Sequence, residues 1–287
     1  MRRGPAGLGA LVLLALAAAG CGSSGSGSPA VPTVAPARTF KLVGFTPTGA
    51  VTAKRPVELS FRIQLPSGAT LTRFREGAGP HTGVHLIIVR DDLSEIVHRH
   101  PTVAPDGTVR QTVSFPAPGR YHVLVDAYPV IPETPQLANF QLTATTVVRG
   151  TETHVPLPAY APRVRVGGYR VEIERLPRIT ALEPAFVAIR IRDADGQAPR
   201  LQPYYGALAH AIFFRAGSLA YFHTHICAPG APGCGTLVGG RTLTGTGTAS
   251  GRLNVGILLP QSGSWRLFLQ FKVHGRILTA PFTLRVR

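Results

Sequence analysis

The sequence has few of the residues on which many catalytic and redox centres depend. Its 287 residues include three cysteines, one methionine, and 14 acidic side chains against 30 basic ones. A blue-copper centre needs a cysteine ligand and usually an axial methionine, and Met1 is expected to leave with a signal peptide. The acidic pairs Asp91-Asp92 and Asp193–Asp195 lie in turn-like segments, where such residues usually serve the backbone.

Signatures of common enzyme classes are also missing. The sequence contains no G-x-S-x-G elbow, Walker loop, dinucleotide fingerprint or H-E-x-x-H helix. His98-Arg99-His100 is not followed by an aspartate two residues later, as the His-x-His-x-Asp pattern of metallo-hydrolases requires. We therefore expect a protein that is not an enzyme.

Glycine and proline are abundant and separate short apolar runs. The chain has 32 glycines, 26 prolines and 44% hydrophobic residues, and its runs rich in valine, isoleucine, leucine and phenylalanine are typical of strands. A sustained helical period is missing outside the N-terminus. The pattern predicts an all-β protein with two tandem immunoglobulin-like β-sandwich domains.

An internal duplication supports two domains. The segment Pro56–Gly68 aligns without gaps on Pro184–Gly196, and a later strand at Tyr121 corresponds to one at Trp265. A period of about 125–145 residues indicates a duplicated domain rather than a solenoid repeat. The predicted boundaries are a first sandwich over 39–149, a proline-rich connection over 150–162 and a second sandwich over 163–287.

The N-terminus has the pattern of an export signal. Arg2 and Arg3 precede the apolar run Leu8–Ala19, which is too short for a comfortable membrane span. Cys21 follows small residues and resembles the lipobox of bacterial lipoproteins, in which the cysteine is lipidated; the alternative is an ordinary secretory signal. We expect a signal peptide over 1–20, lipidated Cys21 with a flexible linker over 21–38, and an extracytoplasmic protein anchored by lipid to the bacterial cell membrane.

The charge is strongly basic. A formal net charge of +16 could bind nucleic acid, but export argues against that partner, and we expect none. The basic residues are nearly all arginine and recur along predicted strands. Examples are Arg163, Arg165, Arg170, Arg190 and Arg192. They indicate a solvated strand face beside anionic lipid or cell-wall polymer.

Two stretches repeat one spacing of histidines. His85–Pro101 and His210–Ile226 both carry a histidine, twelve residues and then His-x-His, and both have the pattern of a β-hairpin. In the first, a turn centred on Asp91-Asp92 would place His85 directly opposite His98. The corresponding turn in the second would place His210 opposite His223. Each hairpin would then gather three imidazoles on one face.

The candidate metal ligands follow from this arrangement. They are His85, His98, His100, His210, His223 and His225. Imidazole suits copper, zinc and nickel, so each hairpin is expected to bind one divalent transition metal, with copper preferred. The alternative is that His-x-His caps the sandwich by hydrogen bonding without a metal.

Further candidates lie next to these stretches. His81 could act as a fourth ligand. Cys227 and Cys234 share a Gly/Pro-rich loop, and in an oxidising compartment such a pair favours a disulfide. Alternatively, Cys227 continues the face of His225 as a soft metal ligand.

The face that carries the histidines of the first hairpin is mixed. By strand alternation, the residues on the opposite face, expected to meet a core, are Val84, Leu86, Ile88 and Val97. The apolar residues that share the histidine face are Ile87, Val89 and Ile96. This composition disfavours a wet, open site.

Three runs carry a family resemblance. L-Q-P-Y-Y-G-A-L-A-H, S-L-A-Y-F-H-T-H and S-G-S-W-R-L-F-L-Q-F-K-V-H-G resemble a group of bacterial secreted proteins and lipoproteins. This group is similar to YtkA-like and other immunoglobulin-like exported domains associated with copper and heavy-metal handling. The resemblance covers most of Phe40–Arg287. The sequence departs from it at Ile226, where the pattern has His-x-His-Pro as at His98–Pro101.

Together these patterns predict a cell-surface or periplasmic lipoprotein. It would bind a transition metal, with copper first, through its histidine hairpins, as a buffer, sensor or chaperone. Its expected partners are the membrane, through the lipid anchor, and a metal-handling or envelope protein. The alternative is a non-catalytic envelope scaffold that binds no metal.

Overall fold

The computed structural model describes residues 39–77, 79–132, 139–231, 234, 237–238 and 241–287. The predicted signal peptide, Cys21 and the linker lie outside these ranges. The segment Arg38–Arg287 forms one compact unit, and all regular structure in its described part is β. That part contains no helical segment with the length and hydropathy of a membrane span. The predicted class of an all-β protein with two tandem immunoglobulin-like sandwiches is confirmed.

The first sandwich consists of two antiparallel-rich sheets. Its described strands are β1 (Lys41–Thr46), β2 (Val51–Thr52), β3 (Pro56–Gln64), β4 (Val84–Arg90), β5 (Ile96–Arg99), β6 (Val109–Ser114), β7 (Gly119–Ala127) and β8 (Phe140–Arg149). One sheet has the order β1-β3-β6 and the other β2-β8-β7-β4-β5. Leu59 and Phe61 of β3 pack with Tyr121 and Val123 of β7 in the core between them.

The second sandwich is built from one long sheet that folds over its own core. Its described strands are β9 (Arg163–Val166), β10 (Tyr169–Arg175), β11 (Ala185–Arg192), β12 (Ala209–Arg215), β13 (Tyr221–Cys227), β14 (Leu237–Val238), β15 (Arg241–Thr242), β16 (Gly245–Gly247), β17 (Arg252–Ile257), β18 (Gly263–Val273) and β19 (Arg276–Val286). Nine of them follow the order β19-β18-β12-β13-β16-β17-β11-β10-β9. Val171 and Ile191 from one end of this order meet Phe213 and Leu267 from the other.

Strand β4 is buried along its whole length, because it contributes to two cores. The four residues predicted to face a core, Val84, Leu86, Ile88 and Val97, lie in the core of the first sandwich. The alternate residues Ile87 and Val89 pack against Ile212, Phe214 and Phe268 of the second sandwich. The histidine face of the hairpin is therefore an interface between the two sandwiches.

The predicted connection over 150–162 contains no strand and is held against the turn of the first hairpin. The buried Arg90 guanidinium lies 2.9 Å from the Asp92 carboxylate, and its Nη2 donates to the Thr153 carbonyl at 3.0 Å. The Val155 amide donates to Asp92 Oδ2 at 2.9 Å. Although burial alone would raise it, hydrogen bonds from Ser94 and Val155 lower the pKa of Asp92.

Replacing Asp92 with Ala should destabilise the chain strongly. The Asp92→Ala variant leaves the buried Arg90 cation without its short ion pair, a loss of about 3–5 kcal/mol in the free energy of unfolding. Ser94→Ala is the matched control, since it keeps the ion pair and removes a hydroxyl that donates to Asp92 and accepts from Arg90. It should cost about 1–2 kcal/mol. Urea denaturation measures both. Equal losses would show that Glu152, 3.7 Å from Arg90, suffices as its partner.

Candidate metal centre

The first hairpin pairs two residues away from the predicted register. Ile87, not His85, lies opposite His98, and the His85 ring stacks on His100 with ring centroids 3.9 Å apart. The prediction that His85 faces His98 is wrong because the turn is centred one residue later. Leu93 adopts a left-handed φ of 60° there.

The second hairpin shows the same displacement. His210 lies opposite His225, whereas His223 lies opposite Ile212, so the predicted pairing of His210 with His223 is also wrong. A shift of two residues keeps each side chain on its face, since strand side chains alternate with period two. The histidines of each hairpin therefore still share a face.

The two histidine faces meet across the interface between the sandwiches. The rings of His98 and His210 have centroids 5.1 Å apart, and those of His85 and His223 are 5.5 Å apart. Among the described residues, three groups have ligand atoms within 4.8 Å of one another. They are His85, His98 and His100; His85, His223 and His225; and His98, His210 and His223. The first is the predicted triad of one hairpin, and the other two combine both hairpins.

Two pairs of ring nitrogens are close enough to share a proton or an ion. His98 Nε2 lies 3.2 Å from His100 Nε2, and His210 Nδ1 lies 3.2 Å from His223 Nε2. Each pair joins two residues of one hairpin. In the absence of an ion, one nitrogen of each pair must donate a hydrogen bond and the other accept it.

Several buried ring nitrogens have no hydrogen-bond partner within the described ranges. These are both nitrogens of His85, both nitrogens of His225, and Nδ1 of His223. His85 is 0% exposed and His225 is 1% exposed, so solvent does not reach their rings. A buried polar atom left unpaired costs about 1–3 kcal/mol. The backbone of Pro80 and Thr82 lies near the His85 ring, but not in hydrogen-bond geometry. The interface thus holds ring nitrogens that no well-formed hydrogen bond of the described chain uses.

The cluster is neutral at physiological pH. Burial, reinforced by neighbouring imidazoles, lowers the pKa of His85 to about 3 and that of His210 to about 4. The pKa values of the remaining members are also lowered, by burial first and by their histidine neighbours second; these members are His98, His100, His223 and His225. Neutral imidazole is the form that binds metals.

Aromatic and amide side chains enclose the cluster. Tyr205 stacks on His100 with ring centroids 3.8 Å apart, and Tyr128 lies 5.0 Å from His85. Oε1 of Gln270, in the second sandwich, lies 3.1 Å from Nδ1 of His98, in the first. Our sequence reasoning missed all three residues, although Tyr205 belongs to the run L-Q-P-Y-Y-G.

A buried carboxyl also borders the site. Asp126 pairs with His85 in the sheet, as Gln270 pairs with His210 in the second sandwich. Burial raises the pKa of Asp126 to about 6, although hydrogen bonds from Asn139 and Gln141 oppose the rise. The alignment of strand Tyr121 with strand Trp265 already contained this correspondence between Asp126 and Gln270.

The further candidate ligands have different outcomes. His81 joins the cluster, with its ring 4.6 Å from that of His225 and its Nδ1 3.2 Å from the Tyr128 hydroxyl. Cys227 and Cys234 form a disulfide. The alternative interpretation, in which Cys227 is a metal ligand, is therefore wrong, because its sulfur is bonded to Cys234.

Acid should destabilise the metal-free chain through this cluster. The pKa values of the buried histidines are lowered in the folded chain. Below a pH of about 6.5 these histidines therefore bind protons in the unfolded chain but stay neutral in the folded chain. The free energy of unfolding should therefore decrease as the pH is lowered, by about 1.4 kcal/mol per pH unit for each histidine that stays neutral in the folded chain. Urea unfolding with chelator at pH 7.5 and 5.5 measures this.

A double variant supplies the control for the pH experiment. His98→Gln with His100→Gln removes two histidines whose pKa values are lowered. The free energy of unfolding of this variant should therefore depend less steeply on pH. Equal stability of the unaltered chain at the two pH values would contradict a closed cluster, since protons would then reach the rings in the folded state.

Comparisons with known proteins give a family and a fold type. A family model described as "Domain of unknown function (DUF8832)" matches residues 39–146 and 164–287, and no curated protein matches at a significant level. The resemblance to YtkA-like proteins stays a prediction.

Similar solved structures are immunoglobulin-like and fibronectin-like. Fibronectin(III)-like modules of Clostridium thermocellum CbhA share 10% identity over 86% of this chain and 93% of theirs, with a TM-score of 0.21. Tandem Ig repeats of Dlar share 8% over 88% and 99%, with a TM-score of 0.23. Invasin, a bacterial integrin-binding protein, shares 12% over 85% of this chain but only 38% of its own, with a TM-score of 0.22. These values carry no information on function.

Proposed function

The chain belongs to the DUF8832 family of domains of unknown function, and we propose that the histidine cluster between its two sandwiches binds a transition-metal ion. The observation that carries this proposal is the convergence of the six predicted imidazoles, with His81 beside them. Five ring nitrogens of these six residues are buried without a hydrogen-bond partner in the described part of the chain. A metal ion bound by such nitrogens would offset their cost.

The donor set and its spacing suit such an ion. Imidazole nitrogen is a preferred ligand of copper, zinc and nickel. Two nitrogens bound about 2.0–2.1 Å from a tetrahedral ion lie about 3.3 Å apart, close to the 3.2 Å of the two nitrogen pairs. Copper is our preferred metal, because the run from Leu201 to His210 resembles exported copper-handling proteins.

The overlap of the three histidine groups favours one ion per chain. Any two of the groups have one histidine in common, and the shared members are His85, His98 and His223. A second ion bound by three histidines would therefore need an imidazole already in use. One site shared by both hairpins replaces the expectation of one site per hairpin.

The burial of the site favours storage of a metal ion and disfavours catalysis on a substrate. His85 and His210 are 0% exposed, whereas His100 and His223 keep partial exposure and offer a route to the cluster. A closed, neutral, nitrogen-rich site suits a buffer or a sensor. We propose a lipid-anchored, extracytoplasmic metal-binding protein without enzymatic activity.

Metal titration of residues 22–287 tests the site. We expect one equivalent of Cu(II) or Zn(II) by calorimetry and elemental analysis. His98→Ala or His223→Ala removes two histidine groups and should weaken binding at least about 100-fold, the upper end of losses seen for outer-shell partners. His210→Ala removes one group and should weaken binding less. His122→Ala, outside the cluster, is the matched control and should bind as the unaltered chain does.

Two results would contradict the proposal. Two tight equivalents would contradict a single shared site. A folded chain that binds no metal would favour the alternative, an envelope scaffold in which the histidines serve only the interface.

A further inference from the structure

An arginine ladder crosses the outer sheet of the second sandwich. Arg165 of β9 lies directly opposite Arg170 of β10, and Arg170 lies directly opposite Arg192 of β11. Opposed Cβ atoms are about 4.5–5.5 Å apart, so three like charges lie in a row about 10 Å long. None of the three forms an ion pair with any residue in the described ranges.

A second row lies two residues away on the same face. It runs from Arg163 through Glu172 and Arg190 to Arg252. Glu172 pairs with Arg163 at 2.7 Å, and Arg190 pairs with Glu174. Glu172 and Glu174 thus neutralise two positive charges of the second row. The three arginines of the first row and Arg252 remain as net positive charge on this face.

The sandwich fold does not require this ladder. Like charges directly opposite each other destabilise a sheet, and the first sandwich avoids them at the equivalent place. Gln64 is the counterpart of Arg192 in the gapless alignment of the two domains. On the same sheet of the first sandwich, Glu58 lies 3.9 Å from Arg110, so opposite charges are adjacent there.

Exposed apolar side chains lie at one end of the arginine face. Phe186 is on β11, in the alternating series that carries Arg190 and Arg192 outward, and it is 36% exposed. Leu182, shortly before β11, is 72% exposed. A basic surface next to exposed phenylalanine and leucine has the composition of surfaces that lie in a lipid interface.

We propose that this face docks on an anionic phospholipid bilayer. Arginine binds phosphate oxygens with two parallel hydrogen bonds, and the rows bring several guanidinium groups to one face of the sheet. Arg165 is exposed and Arg170 and Arg192 are half-exposed, and one nitrogen of Arg192 donates to the Gly196 carbonyl at 3.0 Å. Phe186 and Leu182 enter the boundary between headgroups and acyl chains. The face belongs to the layer β9-β10-β11-β17. The second sandwich contributes to the histidine cluster from β12 and β13, with Gln270 of β18 beside it, and the other histidines belong to the first sandwich. The proposal is therefore independent of metal binding.

Vesicle co-sedimentation of residues 22–287, which lack Cys21 but contain the whole compact unit, tests the proposal. We expect binding to phosphatidylglycerol vesicles, weak binding to phosphatidylcholine vesicles, and loss of binding with added salt. The triple variant R165Q/R170Q/R192Q should bind phosphatidylglycerol about 100-fold more weakly, since each basic residue near an anionic surface contributes roughly five-fold. Its urea midpoint should be equal or higher, because like-charge repulsion is relieved.

A matched charge variant separates the face from net charge. R55Q/R62Q/R149Q removes the same charge from exposed positions of the first sandwich and should keep most of the vesicle binding. Equal losses in the two triple variants would overturn the proposal, as would failure of the unaltered chain to bind. If F186S/L182S leaves vesicle binding unchanged and a soluble polyphosphate binds equally well, the ligand is a soluble polyanion and the bilayer assignment is wrong.

Discussion

The face shared by the two hairpins combines apolar side chains with imidazoles, and both kinds are buried together when the sandwiches meet. Contacts such as Ile87 and Val89 against Phe214 and Phe268 provide the hydrophobic free energy that closes the interface. The imidazoles on the same strands are carried into the contact, where water no longer pairs their nitrogens. An ion that binds only the closed arrangement would stabilise it by mass action, so interface stability and metal affinity would be linked.

Duplication explains why two histidine faces oppose each other, but the copies are not equivalent. The position paired with the first histidine of each hairpin is Asp126 in one sandwich and Gln270 in the other. Gln270 contacts His98 of the other sandwich through its amide. Asp126 accepts hydrogen bonds from Asn139 and Gln141 of its own sandwich, and its carboxyl faces Tyr221 of the other. This difference breaks the symmetry and fits one shared site better than two equal ones.

Local sequence patterns were sufficient for the all-β class and for the two faces of each hairpin. Alternation assigned Val84 and Leu86 to a core, and the structure places both there. The register could not be predicted to the residue, because it depends on a turn in which Leu93 is left-handed. The meeting of the hairpins could not be predicted at all, since it depends on packing between segments more than a hundred residues apart. The apolar residues among the histidines nevertheless indicated, in the sequence, that this face would be buried.

The period of the strand also explains how one sandwich can present two unrelated surfaces. Along β11, Ile189 and Ile191 point into the core while Arg190 and Arg192 point outward. Along β12, Ala211 and Phe213 serve that same core while His210 and Ile212 face the first sandwich. The core separates the arginine face from the histidine face. Contact of the arginine face with a lipid surface would therefore leave the half-buried His100 and His223 uncovered by the bilayer, and docking and metal exchange would not compete for the same surface.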